Sequence, residues 1–166
     1  ARVLNLFGYS GSSTIFVARC GASVCHLDAS KTMVQRAREN ASLNQLDEHP
    51  IRWIVEDVIK FLKREIKRGR FYEAIILDPP SFGRGAKGEV FVIEKQIQPL
   101  LELVGQLLSP EALFVTFTCH TPQITPLSVQ NLLSQFLPQG QVTSGELSLK
   151  SESNCLPSGV YGTWSR

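Results

Sequence analysis

The sequence predicts an α/β fold in which helices cover both faces of a doubly wound, mostly parallel β-sheet. Short apolar runs alternate with amphipathic segments along the 166 residues. Polar residues follow directly where several of these apolar runs end. The composition, 43% hydrophobic and 19% charged, suits a single globular domain over residues 1–166.

Three strand patterns, each followed by a helix pattern, account for the first part of the chain. Apolar runs of strand length lie at 1–7, 22–27 and 51–55. Helical segments follow at 12–20, 30–43 and 58–68. Gly21 fits the glycine that often ends a helix, and Ser30 fits an N-cap.

Two further strands and two helices follow, and the chain closes on a predicted hairpin-like pair. The strands are expected at 72–77 and 112–118. An apolar stripe over 97–108 and a second segment over 127–137 predict the helices. Pro99 lies within the first stripe and should kink or start that helix. The closing pair is expected at 141–149 and 159–165.

Polar residues mark the carboxyl ends of the predicted strands. In a doubly wound sheet these ends lie on one rim, where ligands bind. The residues on this rim are Phe7 to Gly11, Asp28, Glu56 and Asp57, Asp78, and Cys119 with His120. We therefore expect the functional site on this rim.

Charge, hydropathy and cysteine usage indicate which broad classes of protein fit the sequence. The formal net charge of +2 neither indicates a nucleic-acid binder nor excludes a local basic patch. No apolar run is long enough to span a bilayer, and no signal peptide is apparent. Four scattered cysteines without a C-x-x-C pair predict a reducing, cytoplasmic setting. His26 and His49 have no partner at ligand spacing, so we predict no metal.

The rim pattern favours an adenosine ligand that lacks a pyrophosphate. Gly8 and Gly11 form a turn between strand and helix, but they do not make the G-x-G-x-x-G pattern of dinucleotide binders. Asp28, 20 residues after Gly8, is placed to accept hydrogen bonds from ribose hydroxyls. Asp57 could accept from an adenine amino group. An ordinary tight turn and two helix-capping carboxylates are the alternatives. Together these features favour S-adenosylmethionine over NAD.

These motifs give the chain a family resemblance. The matching stretches are "VLNLFGYSGSST", "HLDASKTMVQRARENASLN", "WIVEDVIKFL", "YEAIILDPPSFGRG", "LFVTFTC" and "LPSGVYG". The sequence resembles class I S-adenosylmethionine-dependent methyltransferases, and more narrowly the large-subunit ribosomal RNA cytosine-5 methyltransferases. The resemblance implies a Rossmann-like, seven-stranded sheet with an antiparallel C-terminal strand. It also implies S-adenosylmethionine as cofactor and ribosomal RNA as partner.

The resemblance also implies the site residues. Expected cofactor-binding residues are Phe7, Gly8, Tyr9, Gly11, Asp28, Ala29, Ser30, Asp57, Val58 and Asp78. Expected substrate-binding residues are Pro79, Pro80, Phe82 and Arg84. Arg84 could equally touch a phosphate or be solvated. Asp78 would face both the cofactor's methyl group and the target base.

The two prolines after Asp78 bear on the acceptor. They fix φ and have no N–H, so the loop offers hydrogen-bond acceptors to an amino group of cytosine or adenine. Adenine-N6 enzymes carry an aromatic residue directly after the second proline, whereas Ser81 intervenes here. An amine acceptor, in adenine or in a protein side chain, is the alternative to carbon 5 of cytosine.

Methylation at carbon 5 of cytosine needs a thiolate that attacks carbon 6. Cys119 occupies the family's nucleophile position, and a small buried apolar side chain is the alternative role. His120 follows where the family commonly has serine. Neighbours on a strand point to opposite faces, so the sequence does not imply a Cys–His dyad.

Two expectations concern the whole protein. The only methionine is Met33, and a strand pattern begins at once, which predicts a domain taken from a longer chain. Family members usually carry an RNA-recognition domain ahead of this one, and that part is absent here. The sequence leaves open a homodimer and a non-catalytic cofactor-binding module. A dehydrogenase is disfavoured.

Overall fold

A computed structural model describes residues 1–85 and 88–166, and this part of the chain forms nine strands and five helices. The strands are β1 Arg2–Leu6, β2 Ser23–Asp28, β3 Ile51–Val55, β4 Ala74–Leu77, β5 Phe82–Arg84, β6 Val90–Val92, β7 Phe114–Cys119, β8 Gln141–Lys150 and β9 Cys155–Ser165. The helices are α1 Ser12–Arg19, α2 Lys31–Leu43, α3 Val58–Lys67, α4 Ile93–Leu107 and α5 Pro126–Phe136.

Seven of these strands form the central sheet, in the order β3-β2-β1-β4-β7-β9-β8. The first five are parallel, and β9 runs antiparallel to both of its neighbours. The predicted seven-stranded, mostly parallel sheet with an antiparallel C-terminal strand is therefore confirmed. The strand order switches direction between β1 and β4, where such sheets form a crevice. Leu6 is in register with Leu27 and Leu77, so three strands end at one level.

Apolar side chains form a core on each face of the sheet. Leu4 and Leu6 of β1 point into a large cluster with residues of α3, α4 and α5. Val3 of the same strand points into a smaller cluster with residues of α1 and α2. This alternation is the two-residue period of a strand that is buried on both faces. The result is a rigid sheet whose carboxyl rim can hold side chains in place.

Helix α4 begins earlier than the predicted apolar stripe over 97–108. Helix α4 begins at Ile93, six residues ahead of Pro99, so the proline does not start the helix. Ile93, Ile97 and Leu101 are buried on the same helix, and this burial outweighs the lost backbone hydrogen bond. Ahead of α4, the antiparallel hairpin β5–β6 is an element that the sequence did not predict.

A buried carboxylate organises the opposite end of the sheet from the predicted site. Glu65 of α3 is fully buried and accepts hydrogen bonds from Arg52 (3.0 Å) and the Tyr72 hydroxyl (2.7 Å). Arg68 and Arg70 lie within 3.7 Å of the same carboxylate. Burial acts to raise the pKa of Glu65, but the hydrogen bonds from Arg52 and Tyr72 bring it below its usual value. These basic side chains thus serve an ion-pair network.

Within the described residues, no helix has the length and apolar character that a bilayer crossing requires.

Candidate active site

A cavity of about 470 Å³ opens at the carboxyl ends of β1, β2 and β4. Most of the predicted site residues line it: Phe7, Tyr9, Asp28, Ala29, Ser30, Asp57, Val58, Asp78, Pro79, Pro80 and Arg84. The predicted residues that do not line it are Gly8, Gly11, Phe82 and Cys119. Among residues 1–85 and 88–166, no cluster of His, Cys, Asp and Glu is arranged to hold a metal ion. The sheet therefore brings the strand-end residues of the prediction together.

The turn after β1 has an unusual backbone. Phe7, Tyr9 and Gly11 have φ values of 57°, 46° and 90°, in the left-handed region. Side-chain-bearing residues rarely adopt this conformation, and such strain concentrates at functional sites. The backbone N–H of Gly8 donates to the Leu27 carbonyl (2.9 Å), which ties the turn to β2. In this turn Phe7 and Tyr9 line the cavity, while Gly8 and Gly11 pack against the protein.

The two glycines have packing roles behind the cavity wall. A Cβ at Gly8 would lie 2.4 Å from the His26 ring, and one at Gly11 would lie 2.9 Å from Ala37. His26 is fully buried, its Nδ1 pairs with the Thr14 hydroxyl (2.8 Å), and burial lowers its pKa to about 4. Gly8 thus rests directly on a neutral imidazole.

Asp28 is fixed by two backbone hydrogen bonds. Tyr9 N–H donates to Oδ2 (3.0 Å), and Ser30 N–H donates to Oδ1 (2.8 Å). Each carboxylate oxygen has lone pairs left to accept from a ligand. Ser30 also caps helix α2, since its Oγ accepts from Met33 N–H (3.3 Å). Asp28 is therefore a preorganised hydrogen-bond acceptor on the cavity wall.

Asp57 combines a capping role with a place on the cavity wall. Its Oδ1 accepts from the backbone N–H of Lys60 (3.0 Å), so it is the N-cap of α3. Val58 is buried beside it. The neighbouring Glu56 also lines the cavity and pairs with Arg64 (2.5 Å).

Asp78 lies at the centre of a polar group on the other side of the cavity. Thr118 Oγ1 donates to Asp78 Oδ1 over 2.7 Å. His120 Nε2 lies 3.6 Å from the same oxygen, and its Nδ1 lies 2.5 Å from the Ser158 carbonyl oxygen. His120 lines the cavity, although the sequence did not assign it a role. Its signal in the sequence was its position at the carboxyl end of a strand.

Cys119 lies just behind this polar group. Its side chain is fully buried, on the face of β7 that also carries Val115 and Phe117. The backbone N–H of Thr121 donates to its Sγ (3.4 Å), and Thr121 Oγ1 pairs with Ser81 Oγ (2.7 Å). Ser81 lines the cavity, so this pair of contacts connects the cavity wall to the thiol.

Hairpin β5–β6 borders the cavity on its remaining side. Phe91 contacts the Phe7 ring edge-on, with centroids 5.1 Å apart, and both residues line the cavity. Arg84 also lines it and stacks over the exposed Phe82 ring at 5.7 Å. The sequence did not predict a role for Phe91, because β5 and β6 have three residues each and are too short to show the periodicity of a strand.

Comparison with known proteins gives a family match over most of the chain. A family model described as S-adenosylmethionine-dependent methyltransferase matches residues 1–135. The crystal structure of a SAM-dependent methyltransferase from Agrobacterium tumefaciens is 37% identical and superposes with a TM-score of 0.96. The match covers 99% of this chain and 55% of that chain.

Two curated relatives carry a more specific name. "Ribosomal RNA large subunit methyltransferase I" from Tolumonas auensis is 35% identical over 119 residues, which is 71% of this chain and 30% of the relative. The protein of the same name from Aeromonas salmonicida is 31% identical over 164 residues, 96% of this chain and 40% of the relative. The chain thus spans less than half the length of either relative.

Proposed function

The chain belongs to the S-adenosylmethionine-dependent methyltransferase family, and we propose that it binds S-adenosylmethionine in this cavity and methylates carbon 5 of a cytosine in ribosomal RNA. The family match confirms the family that the sequence motifs predicted. The observation that carries the proposal is the convergence of Asp28, Asp57 and Asp78 on one cavity. The relatives named for large-subunit ribosomal RNA support the choice of acceptor.

The donor set of the cavity fits this cofactor. S-adenosylmethionine carries a ribose diol, an adenine amino group and cationic sulfonium and ammonium groups, and these groups call for hydrogen-bond acceptors and negative charge. Asp28 offers two fixed carboxylate oxygens for the diol. Asp57 and Val58 lie together where an acceptor and an apolar side chain would flank an adenine. When bound, the cofactor supplies an electrophilic methyl group.

The loop after β4 is suited to hold a base. Asp78 and the carbonyl groups of Pro79 and Pro80 accept hydrogen bonds, so this edge of the cavity can orient the amino group of cytosine. The prolines fix φ and so limit the loop's movement. A paired target base would have to leave its stack to reach this edge.

Cys119 is the proposed nucleophile. A thiolate that adds to carbon 6 makes carbon 5 nucleophilic and so divides a difficult reaction into easier steps. Cys119 follows Thr118, whose hydroxyl donates to Asp78, and this proximity in sequence supports the assignment. The thiol is fully buried, and Thr121 contacts both it and Ser81 of the cavity wall, so we expect that these contacts must open before the thiolate can attack.

An amine acceptor is the second candidate, and the burial of Cys119 favours it. Direct transfer to an exocyclic amine needs no thiol, and the acceptor groups of Asp78, Pro79 and Pro80 suit an amino group equally well. Cys119→Ala separates the two, because it abolishes methylation at carbon 5 and leaves amine methylation intact. Cys20→Ala, at an exposed cysteine, is the matched control.

The experiment has two stages. Calorimetric titration of the purified protein with S-adenosylhomocysteine tests the cavity, and absence of binding would overturn the cofactor assignment. Ribosomal RNA from cells that lack the gene is then incubated with the protein and labelled cofactor, and its nucleosides are identified by mass spectrometry. 5-Methylcytosine that depends on Cys119 supports the proposal, a methylated amine establishes the second candidate, and binding without transfer indicates a non-catalytic module.

A further inference from the structure

We propose that His120 is the general base of this methyl transfer, and that its Nε2 takes the proton that the acceptor position loses. The inference rests on the proposed transfer to a nucleobase and adds a catalytic residue to it. It is carried by the position of the His120 ring between the Ser158 carbonyl, Asp78 and the cavity.

The reaction requires a proton acceptor at this place. After Cys119 has added to carbon 6 and carbon 5 has gained a methyl group, carbon 5 still carries its hydrogen. Removal of that proton lets the C–H electron pair form the double bond between carbons 5 and 6 as the bond between carbon 6 and sulfur breaks. The electrons of the carbon–sulfur bond leave with the thiolate. An amine acceptor likewise releases one N–H proton as its lone pair forms the new N–C bond.

The hydrogen bond between Nδ1 and the Ser158 carbonyl sets the tautomer of His120. A backbone carbonyl can only accept, so Nδ1, 2.5 Å from the Ser158 oxygen, must carry the hydrogen. The neutral imidazole then has its lone pair on Nε2. This nitrogen lies 3.6 Å from Asp78, on the side of the ring away from Ser158. The basic atom therefore faces the group that orients the acceptor.

Gly159 allows the ring to reach this position. A Cβ at Gly159 would lie 2.8 Å from His120 Nδ1 and 2.5 Å from the Cys119 carbonyl oxygen. Its φ of 147° also disfavours other residues. Strand β9 thus approaches closely enough for its Ser158 carbonyl to accept a hydrogen bond from the imidazole.

A charged side chain lies beside the His120 ring. Among the described residues, Asp78 is the charged side chain recorded within ion-pair distance of the ring. Strand β9 contributes the neutral Ser158 carbonyl, and the side chain of the preceding residue, Cys119, is fully buried. Thr118 fixes the Asp78 carboxylate by its hydrogen bond, so the carboxylate keeps its position beside the ring. The side chain is 53% exposed, so water can remove the proton after each turnover.

His120→Asn tests the role because asparagine can still donate to the Ser158 carbonyl but has no atom in the place of Nε2. His49→Asn, at an exposed loop histidine, is the matched control. We expect His120→Asn to lower kcat by about 10²- to 10⁴-fold, with S-adenosylhomocysteine affinity and Tm close to wild type. The rise of kcat with pH that reports deprotonation of the base should disappear in this variant. His49→Asn should retain wild-type kcat and pH dependence.

RNA labelled with tritium at carbon 5 of cytosine locates the defect. For the carbon acceptor, His120→Asn should accumulate a methylated RNA–protein adduct that retains tritium and survives denaturing electrophoresis. An unchanged kcat, or a lower kcat with the wild-type pH profile, would overturn the inference while leaving the proposed function in place. A wild-type protein that methylates no base would overturn both.

The tautomer gives a readout that does not depend on turnover. Nitrogen-15 spectra of the imidazole rings should show His120 protonated at Nδ1 at alkaline pH. The signal is assigned by its loss in His120→Asn, since the chain has three histidines. Protonation at Nε2 would contradict the proposal directly.

Discussion

The backbone N–H of Tyr9 donates to Asp28 Oδ2 over 3.0 Å and joins the left-handed turn after β1 to the end of β2. Ser30 N–H completes the pair of bonds on the other carboxylate oxygen. Asp28 thus does two things at once: it holds the turn in its strained form, and it presents acceptors to the cavity. Changes at Asp28 should therefore affect ligand affinity more than overall stability.

Asp28→Asn should weaken binding of S-adenosylhomocysteine by about 10- to 100-fold, the range expected for a lost charge-assisted hydrogen bond. Tyr9 and Ser30 donate to different oxygens of Asp28, and an amide has an NH2 group in place of one of them, so one of these two hydrogen bonds is lost. Isothermal titration calorimetry measures the effect. Asp47→Asn, at an exposed loop carboxylate, is the control and should bind like wild type. Equal affinities of the two variants for S-adenosylhomocysteine would contradict the proposed binding role of Asp28.

Gly8→Ala should destabilise the fold by about 1–3 kcal/mol, because the new Cβ would overlap the His26 ring at 2.4 Å. Urea denaturation measures the free energy of unfolding. The same substitution made in a His26→Ala background should cost clearly less, since the ring is gone. Gly69→Ala meets no atom within 4 Å and should show only the strain of its positive φ. Additive effects of the Gly8 and His26 changes would contradict this packing.

His26 should make stability depend on pH in the acid range. Its pKa is about 4 in the folded protein and 6.5 in a solvated chain. Between these values the unfolded state binds the proton and the folded state does not, so stability falls as pH drops from 6.5 to 4. The loss should be about 3 kcal/mol.

His26→Asn should flatten that dependence. The asparagine amide can still pair with the Thr14 hydroxyl, but the side chain does not titrate. The comparison is the change in unfolding free energy between pH 7 and pH 4, measured by urea denaturation for both proteins. Parallel curves would show that His26 is not the group responsible.

Glu65→Gln should destabilise the fold by about 2–3 kcal/mol, because it leaves Arg52 without its buried counter-charge. Gln can replace only part of the hydrogen bonding to Arg52 and Tyr72. Chemical denaturation of this variant is compared with Glu39→Gln, at an exposed helix position that pairs with Gln35. If both changes cost the same few tenths of a kcal/mol, the buried network contributes little.

The sequence was most informative where a strand ends. Asp28 and Asp78 stand where short apolar runs end, and a parallel sheet brings such ends together whatever the details of packing. For this reason the cavity and most of its lining could be predicted before any coordinates. Asp57 shows the limit of this reasoning. The sequence offered helix capping and a place in the cavity as alternatives, whereas in the structure Asp57 has both.

The remainder depends on tertiary contacts that leave no local pattern. Phe91 enters the cavity wall through its contact with Phe7, a residue far away in sequence. His120 acquires its orientation from Ser158, on a strand that comes 38 residues later. The left-handed conformation of Phe7 and Tyr9 has no signal in residue type, because glycine or asparagine would be expected there.

The position of β9 inside the sheet has a consequence for the order of events during synthesis. Strand β8 lies at the sheet edge, and its neighbour in the sheet is β9, which is synthesised later. Residues 141–150 therefore have no strand to pair with until residues 155–165 leave the ribosome. By then the nascent chain already contains Phe7, Asp28 and Asp57, whereas Ser158 arrives with the late strand. The part of the crevice that Phe7, Asp28 and Asp57 line can thus form first, and the contact between His120 and Ser158 forms only when β9 joins the sheet.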